Sequence, residues 1–217
     1  MRKLFLLAAL LVSIGFSYAQ ISLGVKAGTN ANTVSFEDDQ YTGSEYKFGF
    51  HAGVFSKIKL SKRWSLIPEL QYIRKGYKDK SDLAHNPNTG LFQGHRNNYD
   101  VTLDYIELPV ALSYSPVRFL SLEWGWVFGQ MISAKGHGTL DDRPFANMSE
   151  FFNKHFESGW CGGLRFNLPA GLGVAARYYH GVTRTSDYFM TEDGDTGAFM
   201  YQRNRNFQLS VYYAIRR

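Results

Sequence analysis

Leu103-Asp104-Tyr105-Ile106-Glu107-Leu108-Pro109-Val110-Ala111-Leu112-Ser113-Tyr114-Ser115-Pro116 decides how this chain is read. Neighbouring side chains of an extended chain point to opposite sides. Ile106, Leu108, Val110, Leu112 and Tyr114 therefore share one face, and Tyr105, Glu107, Pro109, Ala111 and Ser113 the other. The alternation predicts a strand with one apolar surface. Glu107 stands in the middle of the opposite surface, and a carboxylate buried there alone costs several kcal/mol or more. That surface must line something polar.

The same pattern recurs on both sides of this stretch. Toward the N-terminus, Ile21, Leu23, Val25 and Ala27 alternate with Ser22, Gly24, Lys26 and Gly28. Tyr46, Phe48, Phe50, Ala52, Val54, Ile58 and Leu60 alternate with Lys47, Gly49, His51, Gly53 and Lys57, and Trp64, Leu66, Pro68, Leu70 and Tyr72 with Ser65, Glu69 and Gln71. Ile67 and Ile73 interrupt the polar face of that third strand, and Pro68, lacking an N–H, demands a bulge or weak pairing. Toward the C-terminus, Leu120, Leu122, Trp124, Trp126, Phe128 and Ile132 oppose Ser121, Glu123, Gly125, Val127 and Gly129. Trp160, Leu164, Phe166 and Leu168 oppose Cys161, Gly163, Arg165 and Asn167. Leu172, Val174, Ala176 and Tyr178 oppose Gly173, Ala175, Arg177 and Tyr179, and Phe207, Leu209, Val211, Tyr213 and Ile215 close the series.

These are eight amphipathic strands. Short turns at Ser61-Lys62-Arg63, Ser115-Pro116-Val117-Arg118 and Pro169-Ala170 alternate with long polar connections over 30–45, 78–100, 135–157 and 184–203. Such an alternation collects the long loops at one end of an antiparallel meander. The expected fold is all-β: an eight-stranded antiparallel up-and-down transmembrane β-barrel.

Period alone does not say whether the apolar face points in or out. A glycine-rich polar face suits a narrow eight-stranded lumen filled by its own side chains, whereas a soluble ligand-binding barrel lines its cavity with apolar groups. Lys26, Glu69, Glu107, Glu123, Arg165 and Arg177 each lie a few residues above the short turns. Inside a lumen they form a charge network of three carboxylates and three cations. On the apolar face, Trp64, Tyr114, Phe119 and Tyr213 fall near the short turns, and Tyr46, Tyr72, Trp160 and Tyr178 near the long loops. Two aromatic belts separated by aliphatic residues are what a bilayer with two interfaces selects.

Composition agrees. Aromatic residues make up 16% of the chain and Pro only 6 residues, which favours β structure. Arg2 and Lys3 before the apolar run Leu4 to Val12, then Ser17-Tyr18-Ala19, predict a secretory signal peptide over 1–19 and a barrel domain over 20–217. Loss of Arg2 and Lys3 takes the formal charge from +5 to +3, too small a bias to predict a nucleic-acid partner. Cys161 is the only cysteine, so no internal disulfide is expected.

The residues resemble the PorT-like outer-membrane β-barrel domain family of Bacteroidota. The likeness rests on Gly24-Val25-Lys26-Ala27-Gly28, Phe48-Gly49-Phe50-His51-Ala52-Gly53, Pro68-Glu69-Leu70, Tyr105-Ile106-Glu107-Leu108-Pro109, Ala176-Arg177-Tyr178-Tyr179-His180-Gly181 and Asn206-Phe207-Gln208-Leu209-Ser210. It covers nearly all of the chain after the signal. Glu157-Ser158-Gly159 stands where the commoner pattern has Asp-x-Gly, and Ile215-Arg216-Arg217 where an aromatic residue usually closes such barrels. The resemblance implies an eight-stranded barrel in the outer membrane of a Gram-negative bacterium.

No G-x-S-x-G, H-E-x-x-H or phosphate-binding glycine loop is present. His180 with Ser186 as base and nucleophile of a lipid-processing enzyme, Glu192-Asp193-Gly194-Asp195 as a calcium tip, and His85, His95, His137 and His155 as loop ligands are each weaker than an ordinary polar loop reading. The expectation is a non-enzymatic, monomeric barrel with no cofactor and no metal. Its partners are outer-membrane lipid and other proteins of the envelope or a secretion complex, with a small passive channel as the alternative.

Overall fold

The computed structural model describes residues 21–36, 44–81, 84–85, 92–93, 97–140, 143–145, 155–184, 186–192 and 196–215. The expected signal peptide lies outside the described residues. Eight strands form the wall: β1 (Ile21–Phe36), β2 (Ser44–Lys59), β3 (Trp64–Ser81), β4 (Asn97–Val117), β5 (Leu120–Leu140), β6 (Phe156–Asn167), β7 (Leu172–Gly181) and β8 (Thr196–Ile215). Each pairs antiparallel with the next, and β1 pairs with β8, so the sheet closes on itself. The up-and-down barrel read from alternation is the fold.

Register fixes its shape. Stepping across the ladders from Ile21 leads to Ile58, Leu66, Leu112, Trp124, Gly162, Tyr178, Phe207 and back to Ala31 on β1, ten residues above the start. Eight strands with that stagger, at the usual strand spacing and rise, tilt by about 40° around a backbone radius of about 8 Å. Such a cylinder is filled by one layer of side chains from each strand.

The apolar face points outward. Leu70 and Leu209 are 52% and 56% exposed, while Glu69 and Arg165 on the other face are each 2% exposed. A wall of exposed Leu, Val, Ile, Phe and Trp running round the molecule is far beyond the apolar patch a soluble monomer carries. It is the surface of a barrel that meets acyl chains.

The short turns lie together at one end. The Leu60 and Ser61 amides donate to the Trp64 carbonyl at 2.9 and 3.1 Å, and the Ser61 hydroxyl accepts from the Trp64 amide at 3.2 Å. Between β6 and β7, Pro169–Gly171 forms a single 3-10 turn in which Ala170 (φ 60°) and Gly171 (φ 83°) take left-handed conformations to reverse the chain.

Several local expectations are corrected. The strands run well into the segments read as loops: β1 continues to Phe36, β3 to Ser81, β4 begins at Asn97, β5 reaches Leu140, and Ser186–Glu192 pairs with Thr196–Gln202. Once outside the bilayer both faces of a hairpin are wet, so the ladder persists where the alternation of hydropathy stops. Ile67 and Ile73 do not break the lumen face but pack within it, each fully buried. At Pro68 the weak pairing expected there is what forms, without a bulge. Its register holds from Pro68–Val110 to Gln71–Glu107, but the rungs between are missing, where Pro109 also lacks a donor. The one register shift between β2 and β3 falls between Tyr46 and His51.

Candidate functional site

The lumen is built in layers. Nearest the short turns, Phe55 of β2, Ile67 of β3 and Tyr212 of β8 form a buried apolar floor. The Phe55 and Tyr212 rings meet edge to face at 5.8 Å. Space for them comes from glycine: a Cβ on Gly24 would lie 2.3 Å from the Phe55 ring, and one on Gly173 2.1 Å from that of Tyr212.

Arg165 of β6 lies above this floor, its guanidinium 4.9 Å from the Phe55 centroid and 4.5 Å from that of Tyr212. It joins an ionic cluster centred on Glu69. Lys26 donates to Glu69 at 2.5 Å, Arg177 donates to both Glu69 oxygens at 2.8 Å each, and Arg165 reaches Glu69 at 3.3 Å. Arg177 also donates to Glu123 at 2.9 Å, and the Arg165 Nε stands 2.6 Å from Glu123. All five side chains are buried. Arg177 takes Glu69 in the paired geometry its planar fork favours, and Arg165 bridges Glu69 and Glu123.

Glu107 is not part of this cluster. It stands opposite Gln71, two residues above Glu69, accepts from the Gln71 amide at 2.6 Å, and pairs with Lys75 at 2.6 Å. Lys75 also donates to Glu157 at 3.0 Å, and Asn204 donates to Glu157 at 2.8 Å. The Lys75 ammonium lies 4.3 Å from the Tyr179 centroid and 4.8 Å from that of Tyr105. The lower cluster thus carries three cations and two carboxylates, and the upper one cation and two carboxylates. Each offsets the other's residual charge across the layer of Val127, Cys161 and Tyr179.

Sequence reasoning missed Lys75 and Glu157. Lys75 continues the inward series Gln71, Ile73, Lys75, and Glu157 the series Arg165, Gly163, Cys161, Gly159. Extending the period two residues past the last apolar neighbour would have found both. Above them a third apolar layer of Val34, Ile73, Tyr77, Val101, Leu103, Tyr105 and Met131 closes the lumen toward the long loops. Beside the charges, on the β8–β1–β2 side, runs a neutral polar column. His51 contacts the Ser210 hydroxyl at 2.7 Å and Asn30 at 3.4 Å, and Asn30 donates to Asn32 at 2.9 Å.

On the outer wall, Trp64 and Tyr114 pack at 4.8 Å near the short turns, with Phe119 and Tyr213 exposed at the same end. At the other end, Trp160 and Tyr178 meet at 5.6 Å, Tyr72 meets Phe50 at 5.7 Å, and Tyr46 is exposed. His180 stacks on Trp160 at 5.5 Å. The Ser186 side chain, His95 and 193–195 lie outside the described residues. Among the described residues no group of three or more His, Cys, Asp or Glu could hold a metal ion.

A closed barrel with its apolar wall outward and its charges within matches a known family: the outer membrane protein beta-barrel domain, over residues 16–187. The chain belongs to that family. Among solved structures, this outer-membrane barrel is similar to Ail, the attachment invasion locus protein of Yersinia pestis, at 14% identity and TM-score 0.47, covering 89% of this chain and 98% of that one. It is similar to Neisserial surface protein A at 12% and 0.48 over 89% and 98%, and to OprG of Pseudomonas aeruginosa at 10% and 0.44 over 92% and 98%. Among curated proteins none matches in sequence. The family places the barrel in the outer membrane of a Gram-negative bacterium.

Proposed function

We propose that this protein is a sealed, non-enzymatic outer-membrane barrel of the PorT-like type, from a Bacteroidota envelope, that serves an envelope or secretion complex as an accessory or surface-interaction protein. The observation that carries the reading is the lumen. Two ion clusters and three apolar layers occupy it from end to end, so the barrel is an anchor rather than a conduit. Interaction then falls to what stands above the membrane. β4 and β5 are 21 residues each. At the usual rise and tilt they climb about 50 Å, against an apolar band about 25 Å tall. The surplus is a twisted antiparallel wall, and its edges and faces are where partners dock. The same reading has the chain mature at Ala19–Gln20, which intact-mass measurement of the membrane form checks.

Two measurements test the role. Purified barrel in planar bilayers gives no single-channel steps; discrete conductance would make it a small channel instead. Photo-crosslinkers placed at Lys135 or Lys78 in intact cells trap a defined envelope protein. Adducts to lipid alone would remove the accessory role.

A further inference from the structure

The two ends of the barrel carry charge differently. Of the 19 acidic residues, none falls in a short turn, in residues 1–20 or in 216–217. The two nearest the short turns, Glu69 and Glu123, are buried in the lumen and already shared among Lys26, Arg165 and Arg177. All other acids lie farther up the strands or in the long connections. Cations are distributed otherwise. Lys59, Lys62 and Arg63 stand at the β2–β3 turn and Arg118 at the β4–β5 turn, and all four are exposed. The short-turn end therefore presents one sign of charge, which attracts anions.

These cations stand on neighbouring turns. The Ser115 amide donates to the Arg63 carbonyl at 2.8 Å, and the Trp64 and Tyr114 rings pack at 4.8 Å just above, so the two hairpin ends lie side by side. Their depth says what they meet. Leu60, Trp64, Val117 and Phe119 are exposed apolar side chains in the same two segments, and Phe119 directly follows Arg118. At about 3.3 Å per residue the cations lie only a step or two beyond the side chains that touch acyl chains. Long basic side chains at that depth keep their stems in the apolar layer and their heads among the headgroups. Turns this short do not carry the patch out into water, so the anion it meets first is a lipid headgroup.

We propose that Lys62, Arg63 and Arg118, on the adjoining β2–β3 and β4–β5 turns, form a docking surface for the headgroups of anionic phospholipids in the leaflet at the short-turn end. The surface rests on the membrane orientation described above and not on the accessory role. Its test uses the full mature chain in nanodiscs of equal parts phosphatidylglycerol and phosphatidylcholine, released into the mass spectrometer with bound lipid retained. The wild-type barrel keeps phosphatidylglycerol in preference to phosphatidylcholine. Each of Lys62→Gln, Arg63→Gln and Arg118→Gln lowers that preference about fivefold, and the triple variant about a hundredfold, as loss of basic residues at an anionic surface does. Lys78→Gln, which removes a cation 3.9 Å from Asp100 at the other end, leaves it unchanged. Heat-modifiable migration on gels verifies that each variant is folded. Undiminished preference in the folded triple variant overturns the proposal, as does displacement of phosphatidylglycerol by inorganic phosphate, which would mark a free-anion site. Capture of a soluble polyglutamate peptide by a wild type with no lipid preference would make the patch a protein-docking face instead and overturn it equally. Failure of the wild type to enter nanodiscs at all would remove the membrane orientation itself.

Discussion

Glu69 is the residue on which the lumen turns. It accepts from Lys26, Arg165 and Arg177, cations carried by three other strands and brought together only by closure. Glu69→Gln leaves three buried cations facing Glu123 alone, and removal of one partner from a buried ionic group costs about 3–5 kcal/mol. Urea unfolding in vesicles should show that loss, whereas Glu45→Gln on the exposed part of β2 should stay within about 0.5 kcal/mol of wild type. Gly173 makes a different point about fit. Gly173→Ala drives a methyl into the Tyr212 ring and should cost about 1–3 kcal/mol. Combining it with Tyr212→Ala should give less than the sum of the single losses, since each removes the same crowding or the same contact. Equal additive losses would mean that ring and glycine do not share the space.

At the scale of the strand, Gly76 marks the place where β3 leaves the lipid-facing pattern. Its φ of +150° and a would-be Cβ only 2.0 Å from the Val101 carbonyl admit no side chain. Lys47 takes advantage of the bare backbone, crossing it to reach Asp100, the Val101 carbonyl at 3.1 Å and the Thr102 hydroxyl at 2.6 Å. Gly76→Val should therefore destabilise the outer β3–β4 ladder by about 1–3 kcal/mol without unfolding the barrel. Hydrogen exchange checks this: amides of Tyr77 and Val101 lose protection, and those of Leu66 and Leu112 keep it. Uniform loss of protection would mean that the extension and the barrel open as one unit. The strand ends were hard to read because hydropathy alternates only while one face meets lipid and the other the lumen. Asn30-Ala31-Asn32 and Asn204-Arg205-Asn206 are strand all the same, held by partners the sequence does not display.

The whole molecule is polarised from end to end, and that can be measured with its own chemistry. Cys161 is 1% exposed inside the lumen, so the native chain should not react with a membrane-impermeant maleimide. Lys135→Cys, at the long-loop end, should label on intact cells, and Lys62→Cys, in a short turn, only after the outer membrane is opened. The reverse pattern would invert the barrel.

Alternation of side chains set the strand count, the up-and-down order and which residues share a face, because period two is written locally and needs no partner. The inward direction of Lys26, Glu69, Glu107, Glu123, Arg165 and Arg177 was legible for the same reason. Which of them meet was not. Height counted along a strand does not equal height in the barrel once closure staggers the ladder by ten residues and tilts every strand. Only the closed sheet put Glu107 with Lys75 and Glu157 and gathered Lys26, Glu123, Arg165 and Arg177 with Glu69, since each of those outcomes depends on residues from strands far apart in the chain.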